Sequence, residues 1–341
     1  MASAVADNVE PVRPVRLLAV SAACILGAYL SLAVPFLGVP VAAGALAWLW
    51  YRGQRVTTIA IAVLCGLLTF LIDPAGPFYV TLWLLIAGPL VATLVQRRSV
   101  ATAVLVSTAL MTVIWLGLLV GVSGLEGTSV NGYMSTLMKT ATQPALDQVV
   151  GNATEAVQAR EQIALLETTF VRLWPAIIAI MSFFTTLTTV FAVSAVARTS
   201  GVSVKIPPDL DRLDLSPHVV WGLIVGGGLL AADKFLGGWN GGVMGVVGEN
   251  LLRITQWILF LQGVAVFASL YKRAKFSRLS KALGYVLLGL TEAFLPLVSL
   301  TGLADMFLNV RKLPRDGAAE LAAPSENAPA GSSGEDRSAE E

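Results

Sequence analysis

The chain has 341 residues, 55% of them hydrophobic and only 13% charged, with a mean hydropathy of +0.74 and a formal net charge of +1. A soluble domain carries about a quarter charged residues, so this composition excludes one and indicates a polytopic membrane protein. The near-neutral balance leaves no basis for nucleic-acid binding, which needs Lys and Arg gathered on one face.

Crossing a hydrocarbon core of ~30 Å takes about 20 apolar residues in a helix. The chain opens with two arginines before an apolar run, "VRPVRLLAVSAACILGAYLSLAV". This looks like a signal peptide, but more runs follow, so it reads as an uncleaved first helix. Apolar runs lie at 17–34, 36–51, 56–72, 77–95, 100–123, 170–197, 217–236, 250–271 and 282–310. The second is short and contains Pro40, which predicts a broken or tilted helix. Cys24 and Cys65 lie inside such runs and read as small buried hydrophobes, neither a disulfide nor a metal pair.

With the N-terminus in the cytoplasm, fourteen basic residues fall on the inner side, among them Arg97, Arg98 and the cluster "YKRAKFSRLSK". Only Lys139, Arg160, Arg172 and Lys234 fall outside. That asymmetry sets the expected orientation. A straight crossing from 282 would carry Arg311, Lys312 and Arg315 outward. Pro296, which leaves the Glu292 carbonyl without a helical donor, predicts a broken pair of half-helices that returns them.

Between the fifth and sixth runs lies an outer segment, 124–169. From Pro144 its apolar residues Leu146, Val150, Ala153 and Val157 recur at helical spacing, predicting an amphipathic helix over the bundle or on the membrane surface. The Asn152-Ala153-Thr154 sequon carries little weight. From Pro314 the tail has seven carboxylates against two arginines and nothing to form a core. The expected organisation is a cytoplasmic arm (1–13), a bundle (14–313) that includes the outer insertion, and a disordered acidic tail (314–341). The fold class is all-α, a polytopic transmembrane bundle of about 8 to 10 membrane segments.

Recognisable chemistry is sparse. "GVSG" at 121–124 resembles the nucleophile motif of rhomboid-type intramembrane proteases, but Ser123 ends an outward-going span and His218 begins one from the inner side. A nucleophile and base need about 3 Å. One histidine and no "HExxH" or "CxxC" give no metal ligand set, and "GGWNGGVMGVVGEN" lacks the "GK[ST]" of a phosphate loop. The expectation is a protein without catalytic residues, metal or cofactor.

Six residues stand out as candidate binding groups. Asp233 falls at the outer end of the seventh run, with Lys234 and Trp239 suited to the headgroup belt. Glu249 and Asn250 stand where the eighth helix is expected to start, as N-terminal caps, with Arg253 one turn on to pair with Glu249. Two readings stay open: an outer turn with ordinary caps, or the rim of a cavity open to the outside. Glu292, about 16 Å from the inner surface, and Gln262, at similar depth in the eighth run, are expected to lie close together. They would form either a helix-to-helix hydrogen bond or part of a substrate or proton site. Asp305 and Arg311 are placed to pair beyond the break.

"LWPAIIAIMSFFTTLTTVFAVSAVAR", "LFLQGVAVF" and "GLADMFLNVRK" resemble the YybS-like family of bacterial inner-membrane proteins, over about residues 15–313. That family looks distantly similar to the substrate-binding S components of energy-coupling-factor vitamin transporters. The resemblance implies a helical cavity opening outward, a small-molecule substrate, and separate ATPase and coupling subunits, since no nucleotide motor is present. The alternative is a non-transporting scaffold or assembly factor in the lipid bilayer, recruiting envelope proteins through 124–169 and the tail.

Overall fold

A computed structural model describes residues 14–72, 76–148, 153–203, 210–236 and 242–313. The expected arm, the acidic tail, Val150, Asn152 of the sequon and residues 237–241 with Trp239 lie outside the described residues. Among those described there are helices and turns and no strand.

The helices are α1 (Pro14–Ala33), α2 (Pro35–Tyr51), α3 (Arg55–Thr69), α4 (Gly76–Leu85), α5 (Val91–Arg97), α6 (Val100–Leu125), α7 (Val130–Gln148), α8 (Ala153–Thr199), α9 (Val220–Phe235), α10 (Val243–Arg273), α11 (Arg278–Phe294) and α12 (Leu297–Leu308). Each of the nine apolar runs is helical. Among the described residues, six helical stretches are long and apolar enough to cross a membrane; α11 and α12 together pass the same test but are bent by 101°, as in a broken span or a re-entrant loop. At 17 and 15 residues, α2 and α3 fall short of that length.

The chain forms two compact units. Among the described residues, one takes in those up to 203 and those between 217 and 258, the other 210–216 and 259–313. In the first, small residues set the packing, as they do wherever helices approach without a hydrophobic drive from lipid. Gly27 and Gly38 bring α1 and α2 into backbone contact; a Cβ on Gly38 would lie 2.5 Å from the Gly27 carbonyl oxygen. Gly38→Ala should therefore cost about 1–3 kcal/mol, the overpacking range, read as a fall in the thermal midpoint of the detergent-solubilised protein. Cys24 and Cys65 are buried free thiols in this core, Sγ to Sγ 3.3 Å.

Two prolines shape the first unit. Of the two expectations for Pro40, a broken or a tilted helix, the break does not occur: α2 runs unbroken through Pro40. Pro40 has no N–H for the Phe36 carbonyl, and the Thr188 hydroxyl of α8 lies 3.3 Å from that oxygen. Near Pro89 the chain instead widens into a π turn, Ile86–Leu90, between α4 and α5.

The outer segment departs from expectation. Pro144 lies inside α7, not at a helix start, and α8 begins at Ala153 and continues through the sixth apolar run as one helix of 47 residues. The single amphipathic helix expected after Pro144 is divided between the end of α7 and the start of α8. At 1.5 Å per residue α8 is roughly 70 Å long, twice the hydrocarbon thickness. Its charged residues Glu155, Arg160, Glu161, Glu167 and Arg172 precede the uncharged stretch Leu173–Ala197, and Arg198 follows it. Glu167 accepts from Ser135 (2.5 Å) and pairs with Lys139 (3.5 Å), while the Trp174 indole donates to Asn131 (2.9 Å). Asn131, Ser135 and Lys139 recur every four residues, so one face of α7 is fastened along α8.

In the second unit α11 ends at Phe294, and Pro296 opens α12 across the bend. The break falls at the expected proline.

Candidate functional site

Three polar assemblies and one apolar cavity are candidates. In the first unit, α10 begins at Val243, seven residues earlier than the hydropathy run. Glu249 and Asn250 are therefore two turns inside a helix and do not cap it. Glu249 holds Arg172 of α8 in a two-pronged pair, 3.0 Å from Nε and 2.7 Å from Nη2, in place of the expected partner Arg253. Arg253 donates to Gln256 at 3.0 Å.

Asn250 is buried and enters the backbone of α8. Its Oδ1 accepts from the Ala176 N–H (2.8 Å), and its Nδ2 donates to the carbonyls of Arg172 (2.8 Å) and Val246 (2.8 Å). Ala176 N–H and Arg172 C=O would be bonded to each other in a regular helix. The amide thus takes the place of the interrupted bond beside Pro175.

α9 and α10 pack through glycines. A Cβ on Gly226 would lie 2.8 Å from Leu252 Cγ, and one on Gly248 2.8 Å from the Gly226 carbonyl oxygen. Asp233 is half-buried, its carboxylate against Gly242 and Gly245; a Cβ on Gly245 would lie 2.6 Å from Oδ2. That seat is the first turn of α10, whose dipole favours a negative charge.

The second unit holds a buried polar cluster. Gln262 donates to Asp214 (3.1 Å) and Asp305 (3.1 Å) and accepts from the Leu215 N–H (3.1 Å). Arg311 reaches Asp305 through Nε (3.0 Å) and Nη2 (2.9 Å) and donates to the carbonyls of Asp211 (3.0 Å) and Leu213 (2.7 Å). The expected Asp305–Arg311 pair is formed. Lys272 pairs with Asp211 at 2.9 Å. Burial pushes the Asp211 carboxyl up, but the Lys272 hydrogen bond and charge outweigh it, so it is held below its ordinary range. Asp214 escaped the sequence reading; its one hint was an acid in the short polar connection "DRLDLSPH".

Glu292 is buried and bridges the bend. It accepts from the Ser299 hydroxyl and, at 3.0 Å, from the Ser299 N–H. That N–H is among the first-turn donors a helix cannot satisfy itself, so Glu292 caps α12 from the end of α11. Glu292 and Gln262 both act on α12, one at Ser299 and the other at Asp305. Glu292→Ala should cost about 1–2 kcal/mol while Glu292→Gln, which keeps an acceptor, costs less; thermal unfolding of both variants checks it.

The cavity lies elsewhere than the six singled-out residues. It measures about 270 Å³ and is formed in the first unit by side chains of α2, α4, α6, α7 and α8. Met111, Met134, Met181, Trp83 and Trp115 shape it, and none of its lining residues is charged. The two indoles meet edge to face, centroids 5.0 Å apart. Buried Met134 comes from α7, which closes one side of the space. Hydropathy alone does not mark these residues, since every apolar run contains their like.

Apolar helices of spanning length, glycine-mediated packing and a buried ion pair between Asp305 and Arg311 define a polytopic α-helical membrane protein. The chain belongs to the family of predicted membrane proteins designated DUF2232, which it matches over residues 21–306. No curated protein and no solved structure matches it.

Proposed function

We propose that this is a bacterial inner-membrane protein, N-terminus in the cytoplasm, that binds a small molecule in the cavity of its first unit. It takes the part of an S component, in keeping with its resemblance to YybS-like proteins, and any transport is driven by separate ATPase and coupling subunits. The observation that carries this reading is an uncharged cavity of about 270 Å³ closed on one side by α7. The orientation rests on the asymmetry of basic residues. Counting α2 and α3 with the six long spans gives eight crossings, and the bent pair α11–α12 is a re-entrant turn that returns Arg311 to the inner side. The polar groups that drew notice in the sequence serve the scaffold: Glu292 caps, Asn250 splices and Gln262 cross-links. No catalytic role is proposed.

The test is purification from native membranes in lipid nanodiscs, followed by mass spectrometry of the extracted small molecules and of the co-purifying proteins. A compound retained by the wild type and lost from a cavity-filling Ile178→Trp variant supports binding, and ATPase subunits in the same preparation support transport. A preparation with no compound dependent on the cavity overturns the reading. One observation favours a scaffold instead: the charged half of α8 exposes Val157, Leu165 and Leu166. Envelope proteins that co-purify, and are lost on deletion of 144–168, would be its mark.

A further inference from the structure

We infer that the ligand of this cavity is neutral and largely apolar, with a single hydrogen-bonding group that meets the hydroxyl of Ser182. The inference rests on the binding role proposed above and names the chemical class.

Size comes first. An apolar cavity of about 150 Å³ holds a benzene ring, so one of about 270 Å³ takes two fused rings or a short branched chain of roughly ten to twelve non-hydrogen atoms. Charge comes next. No lining residue can pair with an ion, and a carboxylate or ammonium brought here would lose its hydration without a partner. Three methionines make the walls soft and polarisable, and two tryptophans present flat edges and faces, a surface suited to unsaturated or aromatic rings.

Ser182 is a lining hydroxyl left without a partner: it is only 3% exposed, and among the described residues its Oγ has no hydrogen-bond partner. In α8 the hydroxyls of Thr188 and Thr189 bond back to the carbonyl four residues earlier. Ser182 does not, and so keeps a donor and an acceptor for a ligand hydroxyl or carbonyl. The remaining polar groups of the lining are the Thr185 hydroxyl and the two indole N–H groups.

Three probes test this on the full-length protein in nanodiscs: naphthalene, 2-naphthol and 2-naphthoate. Binding is read by tryptophan quenching against two cavity-filling variants, Ile178→Trp and Leu137→Trp, in identical discs, so that partition into lipid cancels. Expected is 2-naphthol bound about five-fold more tightly than naphthalene, 2-naphthoate at least ten-fold more weakly, and the naphthol preference erased in Ser182→Ala. Cavity-dependent binding of 2-naphthoate equal to that of 2-naphthol overturns the ligand class while the binding role stands. A naphthol preference that survives Ser182→Ala overturns the assignment of Ser182. If neither filling variant alters the binding of any probe, the binding role itself falls.

Discussion

Replacing Arg311 with Met is expected to destabilise the second unit by about 3–5 kcal/mol, among the largest effects of any single change in this chain. The Arg311 side chain is 2% exposed and the Asp305 side chain 0%, so the variant leaves a carboxylate with no cation in a medium that hydrates it poorly. The same change strips two carbonyls, Asp211 and Leu213, of their donor. It also frees the segment that brings Asp214 to Gln262. Removing the Asp305 charge as well gives the contrasting result: Arg311→Met with Asp305→Leu should recover part of the loss, because the closest pair is replaced by apolar groups of like volume. Asp214, 3.6 Å from Arg311 Nη2, and the two carbonyls still lose the guanidinium. Thermal unfolding of the single and double variants in one detergent supplies the cycle. A single variant within about 0.5 kcal/mol of wild type would show that the guanidinium carries no such load.

Apolar length was readable from the sequence because lipid imposes it: a chain that cannot hydrogen-bond to its surroundings must be helical throughout the hydrocarbon. Pro296 was readable too, since the missing N–H forces a local consequence wherever it falls. The Asp305–Arg311 pair spans six residues and belonged to the same local arithmetic. What escaped was set by distance along the chain. Asn250 works on a backbone 74 residues away, and Gln262 on an acid 48 residues away, and neither spacing leaves a periodic trace. "GGVMGVVGEN" looked like a turn because of its glycines; in the structure Gly245 and Gly248 are inside a helix, chosen for close approach to Asp233 and to α9. Two of the three stretches that carry the family resemblance meet each other: a Cβ on Gly302 would overlap the Leu259 carbonyl, and one turn earlier on α12 the Val298 carbonyl would be overlapped by a Cβ on Gly263. Their residues fit a crossing of two helices, which is a packing reason for both "LFLQGVAVF" and "GLADMFLNVRK".

Asn250→Ala is expected to cost about 2–5 kcal/mol, because it leaves two buried backbone groups, Ala176 N–H and Arg172 C=O, without partners. The loss can be repaired from the other helix. Pro175 keeps the chain from closing this turn through the clash of its ring with the preceding turn, and its missing N–H leaves the Val171 carbonyl without its helical donor. With Pro175→Ala added, α8 can form the direct bond from Ala176 to Arg172, so the double variant should be more stable than Asn250→Ala alone. Asn250→Asp separates donor from acceptor: the carboxylate still accepts from Ala176 but cannot donate to the Arg172 carbonyl, and should unfold below wild type despite its equal size. Thermal midpoints of wild type, Asn250→Ala, Pro175→Ala, the double variant and Asn250→Asp decide the matter. Additive losses in the double variant would mean that Asn250 only packs against α8, whereas rescue by Pro175→Ala would identify its amide as the missing rung of that helix.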